Sequence, residues 1–197
     1  MSSPRTLRGE RGFSLVEMLT VMAIMGVVMT GLTTLFVQGS NAERDMNRRF
    51  QAQQDARVAL DKIRREIHCA QSASTSPASG QAPSVTLVLP GQCPTAVGQA
   101  QTSVTWCSVS VSSVRYKLYR KVGATCDATG VRWADYLTQA NLFEYQAAST
   151  VSLGKVRVSF PIDVKTGDAT PVYRLCDHIV LRNTLRTGTP GTPLTAC

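Results

Sequence analysis

One carboxylate lies inside an otherwise apolar stretch near the start of the chain. Glu17 is the fifth residue of a run from Phe13 to Val37 that carries no other charged side chain. An ionisable residue in such a segment is costly to place in a membrane, and it is a candidate functional residue whose partner should be named. The chemistry open to Glu17 is electrostatic, because an ionised carboxylate attracts a cation strongly in a low-dielectric environment.

The apolar run itself excludes two simple explanations. It is longer than the core of a secretory signal peptide, which has roughly 7 to 15 apolar residues and ends in a small-residue cleavage site. This run ends instead in QGSNAERD. Its length fits a helix across a bilayer at ~1.5 Å per residue, but a plain anchor gains nothing from an ionised acid near its end. Glu17 therefore needs a role beyond anchoring.

The residues around Glu17 form a specific pattern, RG followed by FSLVE, with a short basic leader before it and an apolar run after it. This pattern resembles the prepilin signature of type IV pilins and of the pseudopilins of type II secretion. The resemblance implies that a prepilin peptidase cuts after Gly12, removes residues 1–12 and methylates the new amino terminus at Phe13. It also places Glu17 at the fifth position of the mature chain, where the acid serves subunit assembly.

The physical chemistry of the cleaved chain agrees with this pattern. Cleavage leaves a cationic amine at Phe13, which is costly at the edge of an apolar helix unless it is paired. Helical side chains lean toward the N-terminus, so Glu17 at i+4 can meet its own amine or that of a neighbouring subunit. The positive end of the helix dipole also favours the ionised carboxylate. The alternative is a carboxylate that only reaches the head groups at the membrane edge.

A long helix must position these residues. We predict one helix over residues 13–71, with 13–37 transmembrane or in a filament core and 38–71 amphipathic. In the second part, apolar residues recur at spacings near three and four, which predicts one buried face. Its expected members are Met46, Phe50, Ala56, Leu60, Ile63 and Ile67.

Residues 72–197 have the composition of a β-rich head. The Ser/Pro/Gly/Ala segment at 72–84 predicts a loop, and KTGDATP at 165–171 predicts a connector between two antiparallel strands. Six segments have strand character: 85–89, 103–113, 114–122, 131–137, 155–164 and 172–183. One apolar face of such a meandering sheet needs cover, which the amphipathic part of the helix supplies. The predicted fold is α+β, a pilin-like ladle with a long N-terminal helix packed on an antiparallel β-sheet head.

The cysteines suit a domain outside the cytoplasm, where disulfides persist. No C-x-x-C pair occurs, and His68 and His178 lie at no zinc-ligand spacing, so we expect neither a metal site nor a cofactor. The six disulfide candidates are Cys69, Cys93, Cys107, Cys126, Cys176 and Cys197.

Three pairings are expected among these cysteines. A bridge from Cys176 to Cys197 would attach the loose tail GTPGTPLTA to the last strand, and pilin-like proteins often close a C-terminal loop in this way. The remaining pairs would be Cys93 with Cys107, which closes a Gly/Pro/Gln-rich loop, and Cys69 with Cys126, which ties the helix end to the sheet.

A basic strand offers a further candidate surface. In VRYKLYRKV, alternation places four side chains on one face: Arg115, Lys117, Tyr119 and Lys121. Cations that hold phosphates and a ring on which a base stacks are the components of single-strand DNA contact, and some pilus systems take up DNA. The alternative, which we favour, is a solvated strand face whose lysine stems cover a tyrosine.

Catalysis has little support in the sequence. The serines lie in SASTSP and SVSVSS runs without a G-x-S-x-G context, and the two histidines form no recognisable triad. His68 is expected to sit near the C-terminal end of the helix dipole. Trp106 and Trp133 are expected to be core anchors of the head. The sequence therefore predicts a protein that is not an enzyme.

The charge distribution predicts the orientation in a membrane. The formal net charge is +8, which is a moderate basic bias and does not by itself indicate nucleic-acid binding. Basic residues precede the apolar run, so the leader is expected in the cytoplasm and the head outside it. We expect a single-pass inner-membrane protein with a periplasmic head, which moves to the pilus and cell surface after assembly.

Shorter patterns bear on the subtype. ARVALDKIRREIHCAQ and the strand end VLRN resemble PilW-type minor pilins and J-type pseudopilins, whose heads are larger than those of major pilins. We therefore expect a minor pilin of a type IV pilus or of its initiating tip complex. The alternatives are a type II secretion pseudopilin and a competence pilin for DNA uptake. The expected partners are prepilin peptidase, other pilins through the N-terminal helix, and the inner membrane before assembly, with DNA as an alternative.

Overall fold

A computed structural model describes residues 12–78, 80–94, 101–165, 172–186, 188 and 191–197. Of the predicted leader, residues 1–11 lie outside the described residues, as do residues 166–171 of the predicted connector. The chain divides into two compact units, Met1–Met46 and Asn47–Cys197. The elements are α1 (Leu15–Cys69), β1 (Ser72–Ser76), β2 (Gln81–Ala82), β3 (Ser84–Pro90), β4 (Gln101–Ser112), β5 (Arg115–Val122), β6 (Val131–Leu137), β7 (Phe143–Gln146), β8 (Lys155–Ile162) and β9 (Tyr173–Val180).

The first unit holds the apolar part of α1. No proline interrupts the helix between Leu15 and Cys69, so every backbone N–H beyond the first turn can bond within it. The threonine hydroxyls of this stretch each donate to a carbonyl three or four residues earlier, at 2.7–3.0 Å: Thr20, Thr30, Thr33 and Thr34. These polar groups are thereby satisfied within the helix, which a segment without access to water requires.

The part of α1 in the second unit buries one stripe of side chains against the sheet. Its members are Ala52, Ala56, Ala59, Leu60, Ile63, Glu66 and Ile67. The prediction was wrong for Met46 and Phe50, whose side chains are 68% and 59% exposed. Two helical positions correspond to a turn of about 200°, so Phe50 lies almost opposite Ala52. The other predicted members are confirmed, and the buried stripe also includes three residues that were not predicted: Ala52, Ala59 and Glu66.

The strands form one antiparallel sheet, covered on one face by α1 residues of the same unit. The strand order is β1-β3-β4-β5-β6-β8-β7-β2, and β9 pairs with β8. The predicted α+β class is confirmed, and β8 and β9 are the expected antiparallel pair, with Lys155 opposite Val180. The predicted meander is confirmed, because the six predicted segments correspond to β3, β4, β5, β6, β8 and β9, and each pairs antiparallel with the next. The strands β1, β2 and β7 were not predicted and lie outside this meander.

Two segments of the sheet contradict the sequence prediction. Residues 72–84 were expected to be a loop, but they contain β1 and β2. β1 pairs with β3 along its whole length and alternately buries Ala73 and Thr75. Strand formation here depends on pairing with a hydrophobic neighbour rather than on the low β-propensity of serine. The short strand β7 was not predicted, although its Phe143 is buried in the core.

A buried carboxylate connects α1 to the centre of the sheet. Glu66 is 1% exposed, and it accepts hydrogen bonds from Trp106 Nε1 at 2.8 Å and from Arg120 Nε at 3.0 Å. Arg120 Nη2 lies 2.9 Å from Glu66 Oε1, and Lys62 Nζ lies 3.7 Å from the same oxygen. A buried charge is tolerated when it is paired and hydrogen-bonded, and this network fulfils both conditions.

The C-terminal disulfide has the expected pairing. Cys176 in β9 is bonded to Cys197. Close to this bridge, the backbone N–H of Thr195 donates to Glu144 Oε2 at 3.1 Å, and His178 Nε2 lies 2.9 Å from the Thr195 carbonyl oxygen. The tail residues next to the bridge therefore lie against β7 and β9.

The other two expected disulfides were wrong. The structure pairs Cys69 with Cys93 and Cys107 with Cys126, with Cα–Cα distances of 5.9 and 6.0 Å. Cys69 ends α1 beside the turn that follows β3, and Cys126 lies in the β5–β6 connection, next to the β5 carbonyl of Tyr119 that stands opposite Cys107. Tertiary proximity, which loop composition does not reveal, determined these partners.

Candidate functional site

The predicted processing segment lies directly before the helix. Gly12, Phe13 and Ser14 are outside α1, and Glu17 is in its first turn. Phe13 is 78% exposed, and a Cβ placed on Gly12 would meet no atom within 4 Å. The backbone at the predicted cleavage position is therefore open to an enzyme, and Glu17 lies four residues beyond Phe13 at the positive end of the helix dipole.

The helix that follows presents an apolar surface on all sides. The large apolar side chains between Phe13 and Val37 are exposed within this chain. The helix is long and apolar enough to cross a membrane, and it lies near the N-terminus. A surface of this kind is stable only in lipid or against other apolar helices. The arrangement can thus serve both a membrane anchor and a contact between subunits.

The basic face of β5 is less available than the sequence suggested. Lys121 Nζ lies 2.8 Å from Asp127 Oδ2. Arg115 and Lys117 both pair with Asp135, at 3.4 and 3.6 Å. Each cation of the predicted DNA-contacting face therefore already has a carboxylate partner. Spacing along β5 does not reveal these pairings, because Asp135 lies on the neighbouring strand β6.

The fold lowers the pKa of the Asp127 carboxyl group below its ordinary value. The hydrogen bond from Lys121, followed by those from Thr129, lowers the pKa of Asp127 from 3.8 to about 2. A folded-state pKa below the ordinary value means that the interaction stabilises the fold above about pH 4. That contribution is lost as the pH falls from 3.8 through about 2.

We expect Lys121→Met to raise the pKa of Asp127 toward 3.8, because it removes the largest cause of the shift. The bonds from Thr129 remain, so the pKa should stay below the ordinary value. Carboxyl NMR titration of the full-length protein in micelles measures the change. Lys117→Met is the matched control, since its ammonium group pairs with Asp135. An unchanged Asp127 pKa in Lys121→Met would contradict the assignment.

The histidine and the tryptophans that the sequence singled out contact other parts of the fold. His68 Nδ1 lies 2.9 Å from the carbonyl oxygen of Val180, where it joins the helix end to β9. Trp106 is fully buried, and Trp133 packs against it with ring centroids 5.5 Å apart. Within the described part of the chain, no group of three or more His, Cys, Asp or Glu residues is arranged to hold a metal ion.

Comparison with known proteins identifies the N-terminal segment. The family described as "Prokaryotic N-terminal methylation motif" matches residues 7–33, which include Gly12, Phe13 and Glu17. Neither the curated proteins nor the solved structures give a match to this chain. The motif implies processing by a prepilin peptidase and assembly with other pilins. The N-terminal segment thus carries the methylation motif of type IV prepilin-like proteins, and it precedes an antiparallel sheet packed on the helix.

Proposed function

We propose that this chain is a minor pilin, a subunit that joins a type IV pilus or its initiating tip complex after processing. The observation that carries the proposal is the methylation motif at residues 7–33, which contains the start of a helix with an exposed apolar surface. In this function, residues 1–12 are the cleaved leader, 13–37 span the membrane or enter the filament core, 38–71 are the amphipathic part and 72–197 form the head.

The apolar helix supports repeated assembly. Contacts between unlike surfaces of successive subunits do not close on themselves, and they generate helical filaments. The exposed side chains between Phe13 and Val37 supply such surfaces. Glu17 would pair with the amine at Phe13 of a neighbouring subunit and so set its axial position. The head would lie in the periplasm before assembly and on the pilus at the cell surface afterwards.

A head of this size favours a minor over a major subunit. The second unit runs from Asn47 to Cys197 and contains all nine described strands. A large head hinders lateral repetition, which favours a subunit present in few copies. A type II secretion pseudopilin uses the same parts, and recovery of the protein in sheared surface fibres distinguishes a pilus from a periplasmic piston. The paired cations of β5 give the DNA-uptake alternative no support.

We expect the membrane-extracted protein to begin at Phe13 and to carry one added methyl group. Intact-mass measurement and N-terminal sequencing test this directly. Glycine leaves the backbone accessible to the peptidase, so Gly12→Val should retain the leader and serves as the matched control. Mature material that still contains residues 1–12 would refute the proposal.

A further inference from the structure

A polar cleft lies in the second unit between α1 and β6. Its volume is about 430 Å³, within the ~300–1,000 Å³ typical of small-molecule sites. From α1 it is lined by Arg48, Gln51 and Asp55, and from β6 by Arg132, Trp133 and Tyr136. None of these residues belongs to the processing motif, so the cleft is separate from the site described above.

The polar side chains on the helical side of the cleft are exposed to solvent. Arg48, Gln51 and Asp55 are spaced by three and four residues, which places them on one side of α1. Within the described part of the chain, their side chains form no hydrogen bond or ion pair. Polar side chains that converge on a cleft without protein partners are available to a ligand.

Several contacts position the opposite wall of the cleft. Trp133 packs against the buried Trp106, and the pairing of β5 with β6 shifts register at this point. Tyr136 has a φ of 63°, which is unusual for a bulky side chain. The Arg115 guanidinium lies 3.8 Å from the Tyr136 ring centroid, and the Tyr136 N–H donates to Asp135 Oδ1 at 2.7 Å. Such over-determined backbone strain is often found at ligand clamps.

The charges of the cleft select the class of ligand. The two charged lining residues without a partner among the described residues, Arg48 and Asp55, have opposite signs, so the helical wall favours neither an anion nor a cation. Arg132 already pairs with Asp135, which two basic side chains of β5 also contact. Arginine only donates hydrogen bonds, ionised aspartate only accepts them, and glutamine does both. A ligand rich in hydroxyl groups satisfies this mixture, because each hydroxyl donates and accepts.

We propose that the cleft binds a neutral carbohydrate of one or two sugar rings. The hydroxyl groups would bond to Arg48, Gln51, Asp55 and Arg132, and the apolar C–H face of a ring would pack on Trp133. The site goes beyond the minor-pilin function and adds a binding activity to the head.

The test uses the full-length mature protein in a detergent whose head group is not a sugar. The probes are methyl β-galactoside, methyl β-glucoside, methyl α-mannoside and lactose, followed by saturation-transfer NMR and tryptophan fluorescence. We expect at least one probe to receive saturation and to change the fluorescence with increasing concentration. Asp55→Ala should weaken that binding by about tenfold or more, the loss expected when a hydrogen bond to a charged group is removed.

Asp61→Ala is the matched control, because Asp61 lies on the same helix but pairs with Arg64 and Arg65 outside the cleft. Its affinity should equal that of the unmodified chain. Near-UV circular dichroism verifies that the Asp55→Ala head is folded, and Asp55→Asn provides a second variant.

Binding of none of the glycosides, equal binding by Asp55→Ala, or a response to inorganic phosphate alone would overturn the proposal. Filament incorporation does not enter this measurement, so failure here is distinguishable from failure of the minor-pilin function.

Discussion

Glu17→Ala is expected to leave membrane insertion and cleavage after Gly12 intact but to reduce incorporation into filaments by more than about tenfold. The substitution removes the carboxylate that would pair with the cationic amine of a neighbouring subunit. Losing ~1.4 kcal/mol at one subunit contact already corresponds to a factor of ten, and removing one partner of a buried ion pair costs about 3–5 kcal/mol. Quantitative immunoblots of sheared filaments against total membrane protein measure the effect.

Two variants control this experiment. Glu43→Ala removes a carboxylate from the same helix beyond the apolar run, and it should leave incorporation unchanged. Glu17→Asp retains the charge and should retain part of the incorporation, whereas Glu17→Gln should behave like Glu17→Ala. Normal incorporation of processed Glu17→Ala would show that the carboxylate has no role in assembly.

Arg120→Met is expected to destabilise the head by about 3–5 kcal/mol, the range for breaking a buried ion pair. Without the guanidinium, the Glu66 carboxylate remains 1% exposed with only Trp106 Nε1 at 2.8 Å and Lys62 Nζ at 3.7 Å. Urea unfolding of the full-length protein, followed by near-UV circular dichroism, measures the free energy of unfolding.

The partner Lys62 offers the matched control for this experiment. Its side chain is 27% exposed, so Lys62→Met should cost less than about 1 kcal/mol. The double variant Glu66→Gln/Arg120→Met should recover part of the lost stability, because a neutral amide still accepts the hydrogen bond from Trp106. Equal losses in Arg120→Met and Lys62→Met would show that the buried pair is not what holds the helix to β4 and β5.

The helix and the strands could be predicted where the pattern of apolar residues was long or strongly alternating. The helix was predicted over 13–71 and found over Leu15–Cys69, and β6 was predicted with its observed bounds. β1 was missed because its serines gain a strand conformation only through pairing with β3. The buried face of α1 was predicted correctly from Ala56 onward, but Phe50 lies on the opposite side of the helix from Ala52 and is exposed.

The N-terminal motif could be recognised without the fold, because the roles proposed for Gly12, Phe13 and Glu17 depend on neighbours in the chain and on an uninterrupted apolar helix. The sequence by itself also determined the α+β class, through the change from a helical to an alternating period. The folded structure was needed to show which cysteines meet, why Glu66 is tolerated inside the core, and how Asp55 comes to face Trp133 across a cleft. These contacts join residues that are far apart in the chain, and strand order and register, rather than local spacing, bring them together.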